Sequence, residues 1–260
     1  MDFNKILICI FHYNERTLNL NRYCWEKLGL KNIKVFSSKS GFYEKLNEMF
    51  KYSYENKDKY DLIIKSDADV LVFGGIFKLI EKAYDNHMIL GYFFDKFMNR
   101  WRGSGPKIYN ISLIKYIHKN NIKAQNVLKP ESKLFNLFRQ QKNLKAKCFN
   151  IKTCLHEYEQ YPSKVLNALI TRYHRNHLLN EYLYSKNFLL ESRNHPEYMD
   201  VIHYLYNKYI PKNKISSKKN CNYIYFNYFD TKIEEIKSDD IPILYKKYLK
   251  LYKTKIKIKI

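Results

Sequence analysis

The sequence predicts an α/β protein, a mostly parallel sheet flanked by helices and followed by a helical C-terminal extension. Three observations predict it. Short apolar runs alternate with segments of helical period over residues 1–160, and two carboxylates, Asp67 and Asp69, follow directly on the third apolar run. From Pro162 onward the strand signal fades into long helical patterns with Tyr and Leu at the apolar positions.

KILICIF (5–11) is the first strand, apolar enough to be buried on both faces. NERTLNLNRYCWEKLGL (14–30) has helical spacing, with Asn14 at the N-cap position and Gly29 near its end. NIKVFSS (32–38) is a second strand and FYEKLNEMFKYSYENK (42–57) a second helix. DLIIKS (61–66) is the third strand, GIFKLIEKAY (75–84) a helix and HMILGYFF (87–94) a strand. After these come a polar, glycine-containing segment (95–110), helices over 111–119 and 131–142, and a strand KAKCFNI (145–151). The last residues, YKKYLKLYKTKIKIKI (245–260), are basic and amphipathic, first at helical and then at alternating period. The expected division is a core over 1–160 and an extension over 161–260.

Composition excludes several classes. The five cysteines are odd in number and form no C-x-x-C pair, which argues against structural zinc and a disulfide framework and for a reducing, cytoplasmic setting. No apolar stretch approaches the ~20 residues of a membrane span. With seven glycines and no G-x-x-x-x-G-K-[ST], G-x-G-x-x-G or G-x-S-x-G, the usual phosphate loops and the nucleophile elbow are absent, and no H-E-x-x-H supports zinc hydrolysis. The net charge of +22 permits polyanionic partners, although only eight of the 47 basic residues are Arg and a plain solvated lysine surface explains the rest.

The acidic pair carries the chemistry. Carboxylates at i and i+2 on extended backbone share a face and repel unless a cation lies between them, and the carboxyl end of a strand is where an open α/β sheet binds ligands. The plain alternative is a turn that caps the helix after Gly74.

A D-x-D after a buried strand, in a chain that opens strand–FHYNER–helix, resembles the nucleotide-sugar glycosyltransferases of the GT-A fold, in particular family-2-type members. The resemblance covers roughly residues 4–160 and implies a Rossmann-like sheet, a nucleotide-diphosphate sugar donor and Mn²⁺ or Mg²⁺. It implies that Phe11, Tyr13, Asn14 and Glu15 lie against the donor nucleotide. Asp69 would bind the metal, Asp67 would reach the ribose or the metal through water, and His156 would be a third ligand. Gly103, Ser104 and Gly105 match the small-residue segment that holds the donor sugar, with Trp101 and Arg102 beside the acceptor or diphosphate; an ordinary turn with surface packing is the alternative. Glu131 matches the Glu of the segment that carries the base in inverting members, but Ser132 stands where an Asp is expected. The base is therefore Glu131 or Asp95, or is dispensed with in a retaining enzyme, and Glu131 also reads as an ordinary helix-start acid. His174 and His177, beside Arg172 and Arg175, fit a solvated or phosphate-facing surface.

The leading expectation is a metal-dependent hexosyltransferase-type enzyme acting on a surface glycan, a glycolipid or a lipid-linked precursor, cytoplasmic and in peripheral contact with an anionic membrane through its basic C-terminus. Two others stand beside it: a glycosyltransferase whose acceptor is DNA bearing a hydroxylated base, and a non-catalytic basic protein that binds nucleic acid or membrane.

Overall fold

The structure, a computed structural model, describes residues 1–13, 15–37, 41–96, 100–127, 129–156, 158–160, 207 and 236–257. The strands are β1 Ile6–Phe11, β2 Ile33–Phe36, β3 Leu62–Asp67, β4 Val70–Val72, β5 Met88–Asp95, β6 Arg100–Asn110 and β7 Ala146–His156. The helices are α1 Leu18–Lys27, α2 Phe42–Glu55, α3 Ile76–Ala83, α4 Ile111–Lys119, α5 Pro130–Gln140 and α6 Ile241–Lys255. The strands form one seven-stranded sheet in the order β2-β1-β3-β6-β5-β7-β4. β2, β1 and β3 pair in parallel, as do β5 and β7, while β6 and β4 run antiparallel to their neighbours.

Period-two burial explains how this sheet takes helices on both sides. On β1, Ile6, Ile8 and Ile10 face a core shared with Trp25 of α1 and Ile76, Leu79 and Ile80 of α3. Leu7, Cys9 and Phe11 face the opposite core with Leu46 and Met49 of α2, Leu113 of α4 and Phe138 of α5. A third cluster closes one end, where Tyr248 and Tyr252 of α6 pack on Phe73, Phe94, Trp101 and Leu155.

Four expectations change. The helix expected from Asn14 starts at Leu18, and Thr17 takes the N-cap position without a side-chain cap bond because its hydroxyl is donated to the Ala68 carbonyl. The segment 95–110 is mostly strand: β6 pairs with both β3 and β5 and bulges where the β5 register shifts between Leu90 and Tyr92, which leaves room for Pro106, a residue with no N–H to give. The strand expected over 145–151 runs on to His156, and β4 had no counterpart, since three residues are too few for a periodic signal. The last helix starts at Ile241, upstream of the expected amphipathic stretch, and Ile241, Tyr248 and Tyr252 are buried. Its apolar face is therefore turned into the protein. No helix among the described residues is long and apolar enough to cross a membrane. Asn14, His174, His177 and most of the 161–235 segment lie outside the described residues.

Candidate active site at the carboxyl edge of the sheet

β1, β3, β5 and β7 run in the same direction, and their last residues are Phe11, Asp67, Asp95 and His156. Register ties these ends together: Phe11 is the partner of Asp67, and Asp95 the partner of His156. Four residues singled out from sequence thus stand along one edge, the carboxyl edge where ligands of such sheets bind.

Asp67 and Asp69 take different partners, because residues 68–69 form a turn and the extended backbone expected between them stops at Asp67. Asp67 receives Lys65, whose Nζ stands 2.7 Å from Oδ1 and 2.8 Å from Oδ2. Asp69 Oδ2 lies 3.4 Å from His156 Nε2, across the β4–β7 ladder in which Val70 pairs with His156. Asp69 Oδ1 is buried and has no hydrogen-bond partner among the described residues. An anionic oxygen without a partner is costly and calls for a ligand. Among the described residues, no three His, Cys, Asp or Glu side chains converge into a closed metal site. A carboxylate and an imidazole side by side do suit Mn²⁺ or Mg²⁺ whose remaining positions are filled by phosphate oxygens and water.

The turn is held from beneath by the start of α1. Asn21 donates to the carbonyls of Asp67 and Val70, and Thr17 Oγ1 donates to the carbonyl of Ala68 at 2.9 Å. Gln160, just after β7, donates to Thr17 Oγ1 at 3.1 Å. Thr17 and Asn21 are fully buried, and the bonds to Ala68, Val70 and Gln160 are made away from water. Thr17→Val keeps the shape and leaves the Ala68 carbonyl without its donor; the expected loss is about 1–3 kcal/mol. Calorimetry should show a melting temperature several degrees lower for Thr17→Val and close to the parent for Thr17→Ser.

Burial alone would raise the Asp67 carboxyl, but Lys65 first, then Lys107 and His156, hold it below its ordinary value. Lys65 is the mirror case: burial would lower it, and Asp67 ahead of Glu131 holds it above its ordinary value. Glu131, in the first turn of α5, faces Lys65 at 3.3 Å through Oε1 and Lys107 at 2.9 Å through Oε2. Asp95 is fully buried and meets Arg102 at 3.3 Å.

At the β1 end, Tyr13 stacks on Phe42 with ring centroids 6.5 Å apart, and the fully buried Lys45 sits over the Tyr13 ring at 3.2 Å while donating to the His12 carbonyl. Glu15 folds back to accept from the Tyr13 amide, so it shapes this loop. Gly103, Ser104 and Gly105 lie on β6. A Cβ on Gly105 would come within 3.1 Å of Thr153 Oγ1 and 3.3 Å of the Gly91 backbone, so this glycine lets β5, β6 and β7 approach. Trp101 is buried against Phe94 and Tyr252 and donates to the Lys255 carbonyl, which makes it a core residue. Sequence reasoning assigned no role to Lys65, Lys107, Thr17, Asn21, Lys45 or Gln160; of these, only Lys65 carried a signal, as a cation inside an otherwise apolar strand.

No protein-family model matches the chain, and no curated protein matches it. Among solved structures it is similar to a glycosyltransferase involved in glycosylation of the major capsid of PBCV-1 at 14% identity and a TM-score of 0.41, covering 58% of this chain and 92% of that one. It is similar to the 4-diphosphocytidyl-2C-methyl-D-erythritol synthase of Anaerococcus prevotii DSM 20548 at 14% identity and a TM-score of 0.39, over 62% and 92%. TarS residues 1–349 of S. aureus match at 14% identity and 0.36, over 78% and 72%. At this distance the functional reading rests on the side chains of this chain.

Proposed function

We propose that the protein is a metal-dependent nucleotide-sugar glycosyltransferase that moves a sugar from a nucleotide-diphosphate donor to a hydroxyl acceptor. The observation that carries this reading is the carboxyl edge itself: Phe11, Asp67, Asp95 and His156 end four co-directional strands, and Asp69 adds a buried oxygen without a hydrogen-bond partner among the described residues.

Asp69 and His156 would hold Mn²⁺ or Mg²⁺, which supplies charge neutralisation for the departing diphosphate. Asp67, held ionised by Lys65, accepts hydrogen bonds from the ribose hydroxyls. Tyr13 and Phe42, both partly exposed, would give a nucleobase a flat surface to pack on, with the fully buried Phe11 supporting Phe42 from the core and Lys45 fixed against Tyr13. A base must reach the acceptor hydroxyl with an open oxygen. Both Glu131 oxygens face lysines, and Asp95, beside His156 at the strand ends, is fully buried against Arg102. Neither acid presents an open oxygen, and the arrangement favours a retaining transfer, which dispenses with the base. The acceptor is a glycan or glycolipid hydroxyl.

A melting-temperature screen with UDP-, GDP-, CDP- and TDP-sugars, with and without Mn²⁺, tests this reading. At a hundredfold excess over Kd a bound donor adds about 2.7 kcal/mol of stability. The expected result is a Mn²⁺-dependent rise with one nucleotide. No rise with any donor, alongside a rise with duplex DNA, would replace the reading with a polyanion-binding protein.

A further inference from the structure

We propose that Glu131 is a positioning residue of the donor site, the acid that takes up Lys107 and shares Lys65 so that Lys65 holds Asp67 in place. The inference rests on the glycosyltransferase reading, and it assigns Glu131 a task other than proton transfer.

The β3–β6 ladder makes the acid necessary. Lys65 and Lys107 are direct antiparallel partners, on the same face of the sheet as the neighbouring pair Ile63 and Tyr109. Like charges directly opposite one another destabilise a sheet, and these two are buried, with side chains 1% and 8% exposed. The surroundings are apolar: the Phe11 and Phe42 rings lie 4.9 and 4.5 Å from Lys65 Nζ. Pro130 starts α5 and sets Glu131 in its first turn, where the carboxylate lies across the lysine pair with one oxygen for each. The result is the chain Lys107–Glu131–Lys65–Asp67, two cations and two anions, running from the middle of the sheet to its carboxyl edge. Only its last member, Asp67, opens to solvent, with a side chain 38% exposed.

The balance of this chain decides where Asp67 points. With Glu131 neutral, two buried ammonium groups are left with one anion, and Asp67 is drawn inward to serve both. A base would behave otherwise: its loss slows turnover and leaves binding of the donor nucleotide alone. A solvated helix-start acid would affect neither.

The experiment is isothermal titration of the whole protein with UDP, GDP, CDP or TDP in the presence of Mn²⁺, together with turnover at saturating donor, for the parent, Glu131→Gln and the double variant Glu131→Gln/Lys107→Met. The expected result is a Kd raised about tenfold or more in Glu131→Gln, with turnover at saturation changed far less, and a Kd returning toward the parent in the double variant, where one anion and one cation leave together. Parent-like Kd with lost turnover in Glu131→Gln would overturn the inference in favour of a base. A double variant that binds no better than the single one would overturn it too. Should Glu131→Gln fail to fold, the charge-balanced double variant decides: nucleotide affinity near that of the parent supports the inference, and affinity lower by tenfold rejects it. A parent protein that binds none of the four nucleotides would bring down the glycosyltransferase reading itself, and this inference with it.

Discussion

Asp69→Ala is expected to remove Mn²⁺-dependent nucleotide binding and to lower turnover by on the order of 10²–10³-fold, the size seen when one group that meets transition-state charge is deleted. The same change should leave the fold at least as stable as before. Asp69 Oδ1 is buried with no hydrogen-bond partner among the described residues, and its other oxygen faces the His156 imidazole, which attracts it as an ion pair only when protonated. Replacing an unsatisfied buried acceptor by an apolar group recovers its desolvation cost. The backbone of the turn is held independently, by Thr17 and Asn21 through carbonyls that the substitution does not touch. A carboxylate that costs stability when empty is what a ligand-holding role for Asp69 would entail. The check is a pair of measurements on one variant: titration with nucleotide and Mn²⁺, and a thermal melt without them. Binding unchanged in Asp69→Ala would remove the metal assignment; binding lost together with a large fall in melting temperature would turn Asp69 into a structural residue.

One strand end was legible in the sequence because it interrupts an apolar run. An Asp after five buried residues stands out, and Asp67 was found in this way. Phe11, Asp95 and His156 came instead from the resemblance to the GT-A enzymes, since Phe11 only continues its apolar run and His156 ends a strand that was expected to stop at 151. What the sequence did not reveal lies across the sheet. Lys65 and Lys107 are 42 positions apart and become neighbours only through the antiparallel β3–β6 register, which the parallel expectation did not contain. Without that pairing Glu131 reads as a base or a helix-start acid, and nothing local to it says that two buried lysines lie opposite. The clamp under the acidic turn was hidden for the same reason: Thr17 and Asn21 sit on the buried side of α1, and their partners are backbone carbonyls about fifty positions away. Gly103 and Gly105 misled in the opposite sense. Glycines followed by a proline read as a loop, and here they are the means by which a bulged strand fits between two others.

Removal of residues 241–260 is expected to unfold the protein, or to leave it aggregating, at temperatures where the full chain is stable. Spacing puts Ile241, Tyr245, Tyr248 and Tyr252 on one face of α6, and three of these are buried against the core. At about 1.5–3 kcal/mol for each buried side chain, those three alone contribute roughly 5–9 kcal/mol, against the ~5–15 kcal/mol that stabilises a typical domain. Polar contacts make the docking specific. Tyr252 donates to the Lys152 carbonyl at 2.7 Å, Trp101 Nε1 donates to the Lys255 carbonyl at 3.0 Å, and Lys152 Nζ reaches the Ile256 carbonyl at 2.9 Å. Gly75 shows how close the approach is: a Cβ there would stand 2.0 Å from the Lys152 carbonyl oxygen and 2.5 Å from the Tyr252 hydroxyl. Truncation would also bare Phe73, Phe94 and Trp101, a contiguous aromatic patch of the kind that drives aggregation. Two point variants grade the effect: Tyr252→Phe loses one hydrogen bond, about 1 kcal/mol, and Tyr252→Ala opens an aromatic-sized cavity, about 3–5 kcal/mol. A tail that served only as a basic lipid anchor would give the reverse outcome, with an unchanged melt for the truncated chain and weaker binding to anionic vesicles, so the two measurements together decide which task these twenty residues perform.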